Sequence, residues 1–335
     1  MQTLVYLRIF RKLAIVSAIL ALCVVVLGAY VRLSDAGLGC PDWPGCYGAL
    51  TVPQSEMAIH KAQTIFPDKP IESHKAWKEM IHRYFAGTLG ILILSLFIYS
   101  WRAARRIEVS PLLPTALLGI VFFQAMLGMW TVTLLLKPMV VSAHLLGGMT
   151  TLAILVWISH RHYGVISKRF VEDAMLRKFI RFALVIIYIQ IFLGGWTSTN
   201  YAALACTDFP TCHGVLVPEL DFSAFQLFRE LGQTAGGHPL GMDAITTIQW
   251  THRLGALVTF IYLGTLGVVL LRNSHLRSMA TKLLFLLVLQ VSLGISNLVL
   301  HLPIVLAVAH NFGAALLLVT IVIINSKITG LANRG

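Results

Sequence analysis

The chain has 335 residues, of which 57% are hydrophobic and 12% are charged, and its formal net charge is +12. A soluble globular domain carries about a quarter charged residues, so this composition excludes an ordinary soluble domain and indicates a membrane protein.

Eight apolar stretches are long enough to span a membrane, because about 20 helical residues cross the hydrocarbon layer. In chain order they lie near residues 13–31, 79–100, 112–133, 139–160, 179–198, 248–271, 281–300 and 303–325. The sequence therefore predicts an all-α integral membrane protein with eight transmembrane helices.

The basic residues are concentrated at the termini and in the even-numbered connections, as at Arg11, Arg105 and Arg181. This is the positive-inside pattern, and it predicts that both termini are cytoplasmic. A bacterial inner (cytoplasmic) membrane is the simplest location. Because the charge follows topology, lipid is the predicted partner of the chain and nucleic acid is not.

The two halves of the chain resemble each other. QAMLGMWTVTLLLKPMVVSAHLLGG, from Gln124, matches QVSLGISNLVLHLPIVLAVAHNFGA, from Gln290, and CPDWPGCYG matches CTDFPTCHG at the same shift of 166 residues. The second helix of each half slips by four residues more. Each half enters and leaves the membrane on one side, so the repeat predicts two parallel-related four-helix bundles, 10–165 and 176–326.

Four cysteines fall in the first and fifth connections, which are predicted to lie outside: Cys40, Cys46, Cys206 and Cys212. The outer compartment is oxidising, so each C-x5-C pair is expected to form its own disulfide. A zinc site that includes His213 is an alternative. Attached c-type haem is another, although its C-x-x-C-H signal is absent.

Four histidines lie near the predicted outer ends of helices two, four, six and eight: His82, His144, His252 and His310. A lone histidine in a membrane helix often makes only an interhelical hydrogen bond. Four that recur with the repeat instead indicate bis-histidine ligation of two haems, one in each half. Small residues follow at i+3 or i+4, and we expect them to leave room for a macrocycle beneath each imidazole: Ala86, Gly147, Gly255 and Gly313.

Charged residues beside these histidines allow two interpretations each. Arg83 and Arg253 follow the first histidine of each pair, and they either reach the membrane interface or bind haem propionates. Glu79 precedes His82 by three residues, whereas Gln249 holds the equivalent place before His252. Glu79 is either an exposed acid at a helix start or an acid that acts in only one of two sites.

Together, VRLSDAGLGCPDWPGC, the ExxH from Glu79 to His82, HRLGAL at His252 and AHNFGAA at His310 resemble the heme A synthase family over nearly the whole chain. The resemblance implies oxidation of the ring methyl at position 8 of haem O to the formyl group of haem A, which serves cytochrome c oxidase. It implies that His82 and His144 flank the substrate haem O, and that His252 and His310 ligate a haem B cofactor.

The resemblance further implies that Glu79 assists the oxidation and that Cys40 and Cys46 form the family's first-loop pair. Cys206 and Cys212 match a second pair that not all members carry. Implied partners are haem O synthase, as the substrate donor, and the cytochrome c oxidase assembly machinery. The sequence is compatible with a monomer or a homo-oligomer. Alternatives are a di-haem cytochrome b that takes electrons from quinol and a transporter without a cofactor.

Overall fold

The computed structural model describes residues 2–107, 110–161 and 174–329, so most of the predicted link between the halves lies outside the described residues. The α-helices are α1 (Gln2–Leu33), α2 (Glu56–Ile65), α3 (Ser73–Ile107), α4 (Leu112–Thr133), α5 (Pro138–Arg161), α6 (Ala174–Thr199), α7 (Met242–Leu271), α8 (Arg277–Val299) and α9 (Ile304–Thr329). Two 3-10 turns, Ala202–Leu204 and Phe222–Phe225, follow α6, and no strand occurs in the described ranges.

Every helix except α2 is long and apolar enough to cross a membrane, which confirms an all-α, multi-pass membrane protein with the eight predicted spans. Several helix starts follow from proline, which tolerates the first turn because its missing N–H is not needed there. Pro138 opens α5, and α4 and α9 begin directly after Pro111 and Pro303. The helices α1 and α3 run beyond the predicted spans into the flanking polar segments.

The helix α2 lies in the first connection, between α1 and α3, and was not predicted. Its N-terminus is capped by Ser55, whose hydroxyl accepts a hydrogen bond from Ala58 N at 3.2 Å. Only Ala62 of this helix is buried. It joins an apolar cluster with both cysteines of the first connection and with Ala76 and Met80 of α3. The first connection therefore packs onto the start of α3.

Two closed rings of helices account for most of the packing. In the first half, α1 contacts α3 and α5, and α4 contacts the same two helices. In the second half, α6 contacts α7 and α9, and α8 contacts the same two. Between the halves, α5 packs on α9, α1 on α9 and α5 on α6. The repeat converts α1 into α6 and α5 into α9, so these cross-contacts are the ones that a two-fold relation between the halves would give.

The backbone repeats along with the side chains. Five pairs of left-handed residues recur 166 positions apart: Asp35 and Tyr201, Tyr47 and His213, Gly48 and Gly214, Leu135 and His301, and Leu136 and Leu302. They lie in two pairs of equivalent connections, those that follow α1 and α6 and those that follow α4 and α8. The turns of the two halves are therefore built in the same way.

The two halves also meet directly at the ends of their first helices. Arg32 Nη2 donates to the carbonyl oxygens of Ser198 and Thr199, at 2.9 and 3.3 Å. Its guanidinium carbon lies 4.2 Å from the centroid of the Tyr201 ring. A further contact between the halves is the 2.7 Å ion pair between Lys137, directly before α5, and Glu230, in the connection between α6 and α7.

Candidate functional site

The four histidines lie on the four helices predicted to carry them, namely α3, α5, α7 and α9. All four are half-buried. His82 and His144 lie on α3 and α5, two helices of the first ring, and His252 and His310 lie on α7 and α9, two helices of the second. The structure thus brings together the two predicted pairs, each within its own half.

Each imidazole packs against a glycine on the neighbouring helix. A Cβ placed on Gly28 of α1 would lie 3.0 Å from His82 Cε1, and one on Gly128 of α4 would lie 3.5 Å from His144 Cε1. The corresponding distances are 3.2 Å between Gly194 of α6 and His252, and 3.0 Å between Gly294 of α8 and His310. A side chain at Gly28, Gly194 or Gly294 would crowd the ring, so these glycines set where the imidazoles lie.

The glycines one turn beyond the histidines do not have the predicted role. Gly147, Gly255 and Gly313 are covered by the side-chain amides of glutamines on the neighbouring helix, which a Cβ at these positions would overlap: Gln124, Gln190 and Gln290. The prediction that these glycines leave space for a macrocycle is therefore wrong. The residue three positions after each of these histidines faces the adjacent helix of the same half, and the glutamine side chain of that helix fills the space.

Ring nitrogens within this set lack protein partners. The Nδ1 atoms of His82, His144 and His310 are shielded from solvent and have no hydrogen bond within the described part of the chain. An unsatisfied buried nitrogen costs about 1–3 kcal/mol, so such atoms usually serve a ligand. Paired half-buried imidazoles with spare nitrogens fit the ligation of haem iron.

Glu79 is buried, at 5% exposure, and both of its carboxylate oxygens are engaged. Oε2 accepts a hydrogen bond from Cys40 N at 2.9 Å, and Oε1 forms an ion pair with Arg83. The helix α3 starts at Ser73, well before Glu79. The interpretation of Glu79 as an exposed acid at a helix start is therefore wrong. The carboxylate instead joins α3 to the first cysteine loop.

Gln249 occupies the equivalent position with the opposite hydrogen-bonding role. Its Nε2 donates to Ala203 O at 3.0 Å, and its Oε1 is buried without a partner. The carboxylate of Glu79 can only accept, whereas the amide of Gln249 uses its donor. The two halves thus place a charged acceptor and a neutral donor at the same point beside their histidine pairs.

The two arginines brace the cysteine loops. Arg83 Nη1 donates to Asp42 O at 2.9 Å and to Gly45 O. Arg253 donates to the carbonyl oxygens of Cys206, Asp208 and Thr211, at 2.6, 2.9 and 2.9 Å. These contacts give a structural reason for the arginine that follows His82 and the arginine that follows His252.

Both cysteine pairs form the predicted disulfides, Cys40–Cys46 and Cys206–Cys212. The zinc alternative is not supported. The sulfur atoms of Cys206 and Cys212 do lie near His213, but they are bonded to each other. The ring Nε2 of His213 instead lies 2.8 Å from the carbonyl oxygen of Ala205.

An aspartate organises each loop. Asp42 accepts from the backbone N–H groups of Tyr47 and Gly48, and Asp208 accepts from those of His213 and Gly214. Asp208 also accepts from the Thr211 hydroxyl at 2.6 Å. This hydroxyl bond, followed by the backbone N–H groups, lowers the pKa of Asp208 below its usual range. Asp208 therefore stays ionised in acid and holds the loop closed.

Comparison with known proteins places this arrangement in a family. A family model described as "Cytochrome oxidase assembly protein" matches residues 11–322. The chain belongs to this family. A protein named heme A synthase from Shewanella oneidensis is 45% identical over 323 residues, covering 92% of this chain and 94% of that protein. Proteins of the same name from Caulobacter vibrioides and Caulobacter sp. are 28% and 27% identical, each over about nine-tenths of both chains.

Within this family member, two sets of site residues were not found from the sequence. Gln190, which contacts His252, matches Val24 in the repeat and therefore carried no repeat signal. The glycines that pack on the imidazoles were noticed only in part, because their role depends on which helices are neighbours. A glutamine four residues before a glycine, as in Gln190 and Gly194, is the signal that could have found both.

Proposed function

We propose that the chain oxidises haem O to haem A in its N-terminal half, between His82 and His144. We propose that its C-terminal half holds a haem B cofactor between His252 and His310. The activity is that of an oxidoreductase of haem A synthesis, as the family and the named relatives support. One observation carries the division of roles: the two histidine pairs are alike, but only the first has a carboxylate beside it.

Glu79 is fixed for a charge-stabilising role. Cys40 N–H and Arg83 hold its two oxygens in place, so the carboxylate needs no reorganisation during the reaction. In a site with little water, a fixed charge of this kind stabilises developing positive charge or accepts a proton. We propose that it does so as the ring methyl of haem O is oxidised. When bound, haem B supplies one-electron redox chemistry that no side chain provides.

Arg83 and Arg253 are proposed to bind haem propionates in addition to bracing the loops. A guanidinium has five N–H donors, and the loop carbonyls and Glu79 leave some of them available. Arg83 is already paired with a carboxylate, whereas Arg253 donates its hydrogen bonds to backbone carbonyls. The propionate role is therefore expected to be greater for Arg253.

For the cellular context we propose the bacterial inner membrane, with both termini in the cytoplasm and the histidine pairs near the outer face. The positive-inside charge pattern supports this orientation, and the two disulfides fit an oxidising outer compartment. Haem O synthase is the proposed donor of the substrate. The cytochrome c oxidase assembly machinery is the proposed recipient of the product.

A di-haem cytochrome b is not favoured. Such a protein has paired helix histidines, but it gives no reason for a buried carboxylate beside one pair and an amide beside the other. The named relatives also support haem A synthesis. Both haems of a cytochrome b would be of type B, which makes the two functions separable by haem analysis.

The test is haem extraction and chromatography of the purified full-length protein from cells that make haem O. We expect haem B together with haem O or haem A. His252→Ala and His310→Ala should lose haem B, whereas His82→Ala and His144→Ala should keep it and lose haem O and haem A. His301→Ala, at an exposed histidine between α8 and α9, is the matched control and should resemble the wild type. Haem B as the only haem of the wild type would overturn the proposal.

A further inference from the structure

Three of the four histidines share a contact built from one glutamine and two glycines. The neighbouring helix carries Gln-x3-Gly, and the histidine helix carries His-x2-Gly. The sets are Gln124/Gly128 with His144/Gly147, Gln190/Gly194 with His252/Gly255, and Gln290/Gly294 with His310/Gly313. Residues four apart share a helix face. The glycine of Gln-x3-Gly therefore packs against the imidazole ring, while the glutamine covers the glycine of His-x2-Gly.

The contact is closest to the ring at His252. Gln190 Nε2 lies 3.1 Å from His252 Nδ1 and 3.2 Å from the backbone carbonyl of the same residue. Gln190 Oε1 is buried against Gly255 and has no partner. Gln290 Nε2 approaches a ring nitrogen of His310 at 3.3 Å. Both histidines of the C-terminal half are therefore held by an amide.

His82 is the exception. Gly28 seats its ring like the other three glycines, but Val24 stands where the glutamine would be and Phe85 stands where the second glycine would be. Both partners of the glutamine–glycine contact are therefore missing at His82. The missing amide belongs to the half that contains Glu79.

We infer that Gln190 is a positioning residue that keeps the C-terminal haem bound through His252, and that Val24 and Phe85 leave His82 as the ligand that releases when substrate and product exchange. The inference rests on the proposed assignment of substrate and cofactor to the two halves. A substrate haem must leave after each reaction cycle, whereas a cofactor haem must stay. His82 has a hydrogen bond to the backbone of Val24 but no side-chain amide beside it. A ligand held by a side-chain amide suits the second need, and a ligand without one suits the first.

The chemistry of the amide supports this. Iron takes one imidazole nitrogen, and the other then carries a proton that needs an acceptor. Oxygen and nitrogen of a glutamine amide exchange places by rotation about one bond. Gln190 can therefore present its Oε1 to Nδ1–H at the expense of the bond from Nε2 to the His252 carbonyl. Removal of such a partner typically weakens metal binding by about 10- to 100-fold. Val24 offers no side-chain acceptor to His82.

The test measures the rate at which haem passes from the purified holoprotein to excess apomyoglobin, followed separately for haem B and for haem O or haem A. Gln190→Leu keeps the bulk over Gly255 and removes the amide, so haem B should leave about 10-fold faster or more. Gln190→Glu keeps an acceptor, so haem B should leave at close to the wild-type rate. The midpoint potential of haem B should rise in Gln190→Leu and not in Gln190→Glu, which a purely structural role would not produce.

The reciprocal variant is Val24→Gln combined with Phe85→Gly, which supplies both halves of the missing contact. Haem O and haem A should then leave more slowly, while haem B is unaffected. Val5→Gln, at an exposed position of the same helix, is its matched control and should leave all rates unchanged. If Gln190→Leu fails to assemble, this reciprocal variant tests whether the glutamine–glycine contact slows haem release.

Unchanged haem B release and potential in a fully loaded Gln190→Leu protein would overturn the role of Gln190. Unchanged haem O and haem A release in the reciprocal variant would overturn the role of His82. Either result leaves the proposed function standing as long as haem B still depends on His252. Retention of haem B by His252→Ala would instead contradict the proposed function itself, because it would show that haem B is not held in the C-terminal half.

Discussion

Tyr201 donates a hydrogen bond to the carboxylate of Asp35 over 3.2 Å, and these two residues are repeat counterparts, 166 positions apart. Arg32 likewise meets its own counterpart, Ser198. Equivalent residues contact each other only where a two-fold axis passes between them. Both contacts lie at one end of α1 and α6, which supports an axis near the membrane normal and hence parallel repeats.

The charge of Glu79 should be required for haem A formation. Glu79→Gln keeps the size and an acceptor for Cys40 N–H but removes the ion pair with Arg83. We expect retained haem B, accumulated haem O, and haem A formation slowed by two to three orders of magnitude, since such a fixed charge contributes about 3–4 kcal/mol. The haem profile of cells carrying the variant measures this. Glu72→Gln, at an exposed acid before α3, is the control, and wild-type haem A in Glu79→Gln would exclude the role.

Removal of either disulfide should destabilise its own loop. Each closes a short loop with a sequence separation of 6, which corresponds to about 2 kcal/mol of chain entropy. Cys206→Ser/Cys212→Ser should lower the thermal midpoint while haem B stays bound to the C-terminal half. Non-reducing peptide mapping of the wild type should find each pair linked internally. A Cys40–Cys206 link would contradict this.

Asp208 should make its loop resistant to acid. Its pKa is lowered by the Thr211 hydroxyl and by backbone N–H groups, and an unfolded aspartate has a pKa of about 3.9. A depressed pKa stabilises the loop above the unfolded pKa, and this stabilisation is lost only as the pH falls through the lower, folded value. The amide protons of His213 and Gly214 should therefore stay protected from exchange at pH 4 and lose protection in stronger acid. In Asp208→Asn their protection should be reduced already at neutral pH, and Asp243→Asn should leave it intact.

Arg32 should matter more for the junction of the halves than Tyr201 does. Arg32→Ala removes two charge-assisted hydrogen bonds to α6 and the contact with the Tyr201 ring, for an expected loss of about 1.5–3 kcal/mol. Tyr201→Phe keeps the ring and removes one exposed hydrogen bond, so its effect should be within about 0.5 kcal/mol. Thermal unfolding in detergent compares the two variants. Equal losses would show that the Tyr201 hydroxyl contributes as much to the junction as the Arg32 guanidinium does, and would contradict this.

The spans could be predicted from the sequence because hydropathy and proline act locally. The third span, 112–133, coincides with α4, and its limits are set by Pro111 and by the turn after Thr133. The helix α2 could not be predicted in this way. It has ten residues and buries little more than Ala62, so neither length nor periodicity distinguishes it from a loop.

The helices on which the four histidines and Glu79 lie could also be predicted, since each is a polar residue in or beside an apolar span and most recur with the repeat. Gly255 was wrongly predicted to leave space for a macrocycle. The sequence showed which face of its helix it shares with His252, but not which helix packs against that face. Space beneath His252 depends on α6, which contributes Gln190 there. A periodicity identifies a face of a helix, and only the packing shows which side chain covers it.

A homodimer of four-helix chains would have the same residue on both sides of its axis, so a carboxylate introduced beside one histidine pair would appear beside the other. Here one polypeptide carries both halves. The first half therefore has the carboxylate of Glu79 where the second half has the amide of Gln249. Because one chain carries both halves, equivalent positions beside the two histidine pairs can hold different side chains. Each pocket can lose or gain an acid, an amide or a bulky ring without a matching change in its twin.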